Sequence, residues 1–271
     1  MAVHPTAIVE DGARLAGDVQ IGPYCIVGSE VRLADGVQLH SHVVLRGAVE
    51  IGSRTIVHAH VVVGGEAQIR GTAMSTARLV IGTDNVIREG VTMSLGSQRG
   101  GGITRIGNRN YFMAYSHVGH DCQLGDDIAL SNGVQLGGHV EVGNGVIMGG
   151  LAAAQQFSRI GKYAFISGLS GVSADVIPYG MALGMHVRLG GLNLIGLRRR
   201  GVPRANIHAL RSAFRAIFQD DRGNLQERAQ RASETWAEIP EVQDVTSFIL
   251  ADSKRPIAPG RTRAGLEGDS E

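Results

Sequence analysis

At 271 residues the chain has room for one large domain or two, and its formal net charge of +1 argues against bulk binding to nucleic acid or to a membrane surface. No stretch is long and apolar enough to span a bilayer, so no stable membrane insertion is expected. The 39 glycines suit a fold built from many tight turns.

In chain order, Val, Leu or Ile stands at every sixth residue from Val3 through Val9, Leu15, Ile21, Val27, Leu33, Leu39, Leu45, Ile51 and Val57 to Val63. The repeat enters at once, with no basic segment followed by an apolar run, so no signal peptide is expected. A period of six fits neither a helix nor an ordinary strand. It suits a parallel β-helix in which three hexads make one triangular coil of eighteen residues. Residues 64–80 lack the repeat, yet Ile81 and Ile87 return in phase. The Gly-rich stretch 94–105 shifts the phase by one, and the count then runs from Ile106 to Val172, broken by Phe112, Met148 and Ala154. Both interruptions read as loops leaving a corner of the prism, either on a binding face or as tolerated decoration. Proline is absent between Tyr24 and Ile177, as expected of a body whose backbone groups are committed to ladders. About ten coils at roughly 4.8 Å each would make a prism of roughly 45–50 Å.

The prism is expected to occupy residues 1–180, followed by an irregular connection over 181–202. From Pro203 the period becomes helical, with Ile207, Leu210, Phe214, Ile217 and Phe218 at spacings of three and four. A second helix is expected over 225–239 and a third over 240–250, which gives a helical unit at 203–250. Residues 251–271 are rich in Pro, Gly and charge without periodicity, and read as a disordered tail. Cys25 and Cys122 fall at a small, inward slot of the hexad, too far apart in the stack to pair. Reduced thiols suit a cytoplasmic protein.

The densest chemical cluster is His117-Val118-Gly119-His120-Asp121. Eighteen residues beyond His120 is Gly138 and eighteen further is Gln156, so an imidazole, a bare amide and a carboxamide should share one column. His139 stacks likewise over Asp121. A base beside an unobstructed N–H, with an acid next to it, is equipment for acyl transfer. The base takes a proton from an attacking hydroxyl, the carboxylate orients the imidazole, and the amide receives the oxyanion. The plainer reading is a set of turn residues with hydrogen-bonding duties. A second cluster, His40, His42, His58 and His60, also stacks at eighteen residues. With no third ligand at suitable spacing for a metal, it reads as solvated or interface histidines. The run Arg198-Arg199-Arg200 could grip phosphate or form a solvated surface.

Several segments together resemble the acyl-carrier-protein-dependent UDP-N-acetylglucosamine O-acyltransferases, which begin lipid A synthesis. They are His4-Pro5-Thr6-Ala7-Ile8-Val9, Ile21-Gly22-Pro23-Tyr24-Cys25-Ile26-Val27-Gly28, Ser41-His42-Val43-Val44, His120-Asp121-Cys122, Gly137-Gly138-His139-Val140, Gln156-Phe157, Ser170-Gly171-Val172 and Gly196-Leu197-Arg198-Arg199-Arg200-Gly201. The resemblance implies an all-β left-handed parallel β-helix (hexapeptide repeat, about ten coils) followed by a small α-helical C-terminal domain. It also implies a homotrimer with active sites between neighbouring prisms. By the same resemblance His120 is the general base for the glucosamine 3-hydroxyl, aided by Asp121, with the Gly138 amide as oxyanion donor. His117 and His139 line the site, while Gln156, Asn193 and Arg199 contact nucleotide or phosphopantetheine. Gly168 matches the position that measures acyl length, and glycine there implies a long 3-hydroxyacyl chain. No cofactor is implied beyond the acyl donor, which is carried on the phosphopantetheine of acyl carrier protein; the other partner is a UDP-sugar.

The departures fall on the acceptor side. The family usually has His at Ser94, His at Gln155 and Glu at Ile195. The loop that normally carries Asp and Lys reads Ala67-Gln68-Ile69-Arg70-Gly71, leaving Arg70 as a displaced cation. Losing such contacts should weaken recognition of the usual acceptor. A 3-amino sugar nucleotide or another glycolipid precursor is therefore an alternative. The rivals outside the family are a metal-dependent β-helix enzyme of γ-carbonic-anhydrase type and an inactive scaffold.

Overall fold

The computed structural model describes residues 2–70, 77–98 and 100–260. Three sheets of eleven, nine and eight strands form the faces of a prism, parallel except for the last strand of the first, and the chain visits them in rotation as far as Gly171–Val172. Most strands are only two residues long, such as Gln20–Ile21, Ile26–Val27 and Arg32–Leu33. The second residue of each pair points inward. Ile21 therefore stacks on Leu39 and Val27 on Leu45, eighteen residues away, and these columns form one continuous buried core. Fully burying each such side chain is worth about 1.5–3 kcal/mol, so the hexad repeat is the core.

The corners carry the strain of closure. Fifteen non-glycine residues among those described, including Tyr24, His42, His60, Asp121, His139 and Phe157, adopt left-handed backbone with φ between 56° and 66°. This region tolerates Asp and His better than most residues, which helps explain why polar chemistry collects there.

Both interruptions of the repeat leave the corner between the second and third faces. Ala48 pairs with Arg78, thirty residues on, and Arg78 with Ile103, twenty-five on. Excesses of twelve and seven over the coil length explain why the first loop keeps the phase and the second shifts it. The thiols of Cys25 and Cys122 are buried and donate to the carbonyls of His40 and Gly137 at 2.8 and 3.1 Å. Burial pushes the Cys122 thiol up to about 12.

The stretch expected to be irregular is ordered instead. Gly180–Leu183 extends the first sheet and turns back as Arg188–Leu192, which pairs with it antiparallel. A short helix, α1 (Leu194–Arg199), follows. Helices α2 (Arg204–Phe218), α3 (Leu225–Thr235) and α4 (Pro240–Leu250) then form the C-terminal unit. Ile207, Leu210 and Ile217 are buried as their spacing required, and Asn224 with Glu227 forms a capping box at α3.

The expectation of a disordered tail fails for residues 251–260. Ile257 bridges Asp175, Gly260 bridges Leu189, and Ala258 is fully buried. Residues 261–271 lie outside the described part. No helix among the described residues is long and apolar enough to cross a membrane.

Candidate active site

His117 opens the strand His117–Val118 on the second face, and the chain then turns the corner through Gly119, His120 and Asp121 to Gln123–Leu124 on the third. The next two coils repeat this turn. The His139 amide donates to the His120 carbonyl at 2.9 Å, and the Phe157 amide to the Gly138 carbonyl at 3.1 Å. The ladder thus sets His120, Gly138 and Gln156 in one column and Asp121, His139 and Phe157 in the next. A side-chain carbon built on Gly138 would land inside the His120 imidazole, so glycine is what lets the ring lie over that backbone. The Gly138 amide has no acceptor among the described residues.

Asp121 is the anchor. Its carboxylate is fully buried and accepts from His120 Nδ1 at 2.8 Å, from the Ser97 amide at 2.9 Å and from the Ser97 hydroxyl at 2.6 Å. Its own amide donates to Thr104 Oγ1 at 2.8 Å, and His139 Nε2 lies 3.6 Å from the same carboxylate oxygen. Burial by itself pushes the Asp121 carboxyl up, but the Ser97 and His120 hydrogen bonds outweigh it and hold the carboxyl below the usual range. With the carboxylate on Nδ1, the Nε2 face of His120 is left for a substrate. Burial also lowers His117, whose Nδ1 bonds Thr92 Oγ1 at 2.8 Å. It lowers His139 likewise, against the opposing pull of Asp121.

Ser97 and Thr104 escape the hexad count: Ser97 lies in the loop where the repeat breaks, and Thr104 in the strand Ile103–Ile106, whose register restarts only after that break. Phe157, which stacks on His139 at 4.4 Å and 15°, stands next to Gln156 in the motif but was given no role.

The other expected site residues lie elsewhere on the protomer. Gly168 occupies the corner between the first and second faces, against the Gly150 backbone. Asn193 caps α1 and donates to the Tyr163 carbonyl at 3.1 Å, at the corner between the third and first faces. Arg199 is exposed nearby, whereas Arg200 lies 4.0 Å over the Tyr163 ring. The Gln156 side chain is exposed, and its carbonyl is held by Arg255 at 2.9 and 3.1 Å.

Of the positions where the sequence departs from the pattern it resembles, Ser94 is buried, Gln155 and Arg70 are exposed, and Ile195 is 78% exposed; Gly71 lies outside the described residues. A cleft of about 790 Å³ runs beneath the two loops past Arg14, Arg32, Glu50, Arg78, Leu95 and Ser97, and no histidine among the described residues lines it.

Donor atoms of His120, Asp121 and His139 lie within 4.8 Å of one another, which makes them the metal-competent group among the described residues. Both oxygens of that carboxylate are already engaged by Ser97, so the donor set is arranged to orient an imidazole rather than to face an ion. The His40–His58 and His42–His60 rings stack at 4.5 and 4.9 Å on a different corner, with Glu89 at 3.4 Å from His58.

Residues 175–258 match the family model described as UDP-N-acetylglucosamine O-acyltransferase, domain 2. A Rhizobium johnstonii acyl-[acyl-carrier-protein]–UDP-N-acetylglucosamine O-acyltransferase is 44% identical over 264 residues, 97% of each chain. The Rhizobium etli enzyme of the same name is 46% identical over 180 residues, an alignment spanning 66% of each chain. The LpxA structure from Acinetobacter baumannii superimposes with a TM-score of 0.92 at 36% identity, covering 95% of this chain and all of that one. The UDP-N-acetylglucosamine acyltransferase structure from Campylobacter jejuni gives 0.89 at 35%, covering 96% and 100%.

A left-handed parallel β-helix with a C-terminal helical part, in this company, is an acyltransferase of the hexapeptide-repeat class. Within that class the chain belongs to the acyl-[acyl-carrier-protein]–UDP-N-acetylglucosamine O-acyltransferase family.

Proposed function

We propose that this protein moves a long 3-hydroxyacyl group from the phosphopantetheine thioester of acyl carrier protein to the 3-hydroxyl of UDP-N-acetylglucosamine. The observation that carries the reading is the Ser97–Asp121–His120 relay, at 2.6 and 2.8 Å, beside the bare Gly138 amide. His120 Nε2 takes the hydroxyl proton as the sugar oxygen attacks the thioester carbonyl carbon. Asp121 fixes the imidazole orientation and stabilises the imidazolium. The carbonyl oxygen gathers charge beside the Gly138 N–H, where a preoriented donor counts most. Collapse breaks the C–S bond, and the imidazolium returns its proton to the departing thiolate. An ester and a free phosphopantetheine thiol result.

Gly168, Asn193 and Arg199 sit at other corners of the same prism, so a site that uses them with His120 must be assembled from neighbouring copies. That requirement favours a homotrimer with sites between prisms, in which His117 and His139 line the acyl-transfer centre. Gln156 and Arg199 contact nucleotide or phosphopantetheine, and Asn193 orients the helix that carries Arg199. Gly168 leaves room for the acyl chain.

The altered acceptor side, with Ile195 78% exposed where an acid would meet a polar substrate, favours testing a second acceptor. Purified protein should be assayed with 3-hydroxyacyl carrier protein of graded chain length against UDP-N-acetylglucosamine and its 3-amino counterpart. Ester formation with longer chains is expected. Amide formation alone would reassign the acceptor, and no transfer to either would refute the reading.

A further inference from the structure

We propose that Lys254, delivered to the catalytic corner by the segment 251–260, binds a substrate phosphate. The inference rests on the acyl-transfer reading above and adds to it a residue from a part of the chain that the hexad repeat does not reach.

The segment is pinned on both sides of the lysine. Ser253 Oγ donates to Asp175 Oδ2 at 2.6 Å, and Asp175 is fully buried and also paired with Arg159 at 2.7 Å. On the other side, Arg255 makes its two bonds to the Gln156 carbonyl. The Asp175 amide bonds the Pro256 carbonyl, the Ala258 amide bonds the Asp175 carbonyl, and the Leu189 amide bonds the Pro259 carbonyl, each at 2.8 Å. A lysine between two such anchors has a fixed point of departure from the backbone.

From that point the side chain reaches the stack of rings that leads to His120. Lys254 Nζ sits 4.1 Å from the centre of the Phe157 ring. Phe157 stacks on His139 at 4.4 Å, and His139 meets the His120 ring edge-on at 5.2 Å. The cation is therefore separated from the base by two stacked rings. Burial first, and the Lys254 charge among the lesser causes, keep His139 below its ordinary value.

Beyond the Phe157 ring face, the charge meets no anionic partner among the described residues. The chain has only two lysines, Lys162 and Lys254. Lys162 pairs with Asp244 at 2.8 Å, whereas Lys254 is exposed and has no carboxylate partner among the described residues. A compact ammonium on the rim of a corner that handles phosphate-bearing molecules suits a phosphate oxygen. Two phosphates come to this site in the proposed reaction, the diphosphate of the sugar nucleotide and the phosphodiester of phosphopantetheine, and they present the same chemistry.

The test is steady-state kinetics of Lys254→Ala and Lys254→Arg, with each substrate varied in turn, alongside thermal unfolding. Alanine should raise KM about tenfold for one substrate while kcat changes less than about threefold and the unfolding midpoint stays put. Arginine should restore most of the affinity. The substrate whose KM moves identifies the phosphate that is held. Unchanged KM for both, or a fall in kcat alone, overturns the proposal while the acyl-transfer reading stands. If the unsubstituted protein does not turn over, the parent reading falls. Equilibrium binding of UDP-N-acetylglucosamine and of 4′-phosphopantetheine then decides the lysine. A weaker Kd in the alanine variant sustains it, and equal Kd values overturn it.

Discussion

Two corners of the prism bring imidazoles together on successive coils and come out chemically unlike. On the corner between the first and second faces, His40 faces His58 and His42 faces His60, and the nearest acid, Glu89, is 40% exposed by its side chain and 3.4 Å from His58. On the corner between the second and third faces, one carboxylate is fully buried, bonded three ways, and flanked by His120 and His139. Register alone makes a column of rings. A desolvated, oriented acid and a backbone amide kept bare by glycine convert such a column into a site.

The sharpest way to break this contrast is His120→Ala, which should lower kcat by about 100- to 10,000-fold with little change in thermal unfolding, read by thioester turnover. Retention of activity would end the contrast between the corners. Ser97→Ala comes next. It removes one hydroxyl donor from a buried carboxylate and should cost about tenfold in kcat, with Ser97→Thr recovering most of it. A Ser97→Ala enzyme as fast as the parent would mean that Asp121 needs no support from the loop. His58→Gln, on the other corner, should leave kcat within about twofold, and a larger loss would give that corner a part in the reaction.

The smallest expected effect concerns pH. His117 and His139 are held below the ordinary imidazole value, chiefly by burial, so each favours folding only while neutral. Their contribution is complete above about 6.5 and is lost as pH falls through the lowered folded values. Asp121, depressed as well, contributes above about 3.9 and loses its share only below that. The urea midpoint should therefore drop modestly from pH 7.5 to 5.5, and less so in a His117→Gln/His139→Gln variant. A midpoint indifferent to pH over that span would contradict the burial of both rings.

The coils were legible because each aliphatic residue reports its own place: Leu45 can only stack on Val27 and Val63. The same ruler put Gly138 and Gln156 above His120. It fails where periodicity stops. Ser97 reaches Asp121 from a loop whose seven extra residues erase the register, and Thr104 from the strand Ile103–Ile106 just beyond it. The 251–260 segment was misread because Pro, Gly and charge suggest disorder, whereas its order comes from specific bonds to Asp175, Leu189 and Gln156. The hairpin at 180–192 escaped for a related reason: it pairs antiparallel, a geometry that a hexad count does not detect.

Both long excursions of the backbone depart from the edge that also carries Asp121, and the ladders above and below them stay in step. Length can therefore be gained or lost along that single seam without disturbing a single stacked aliphatic. A protein so arranged can exchange the loops on that seam while His120 and Asp121 stay where they are. Drift at Ser94 and in the 67–71 loop beside an intact His120–Asp121 pair is the pattern such freedom would leave.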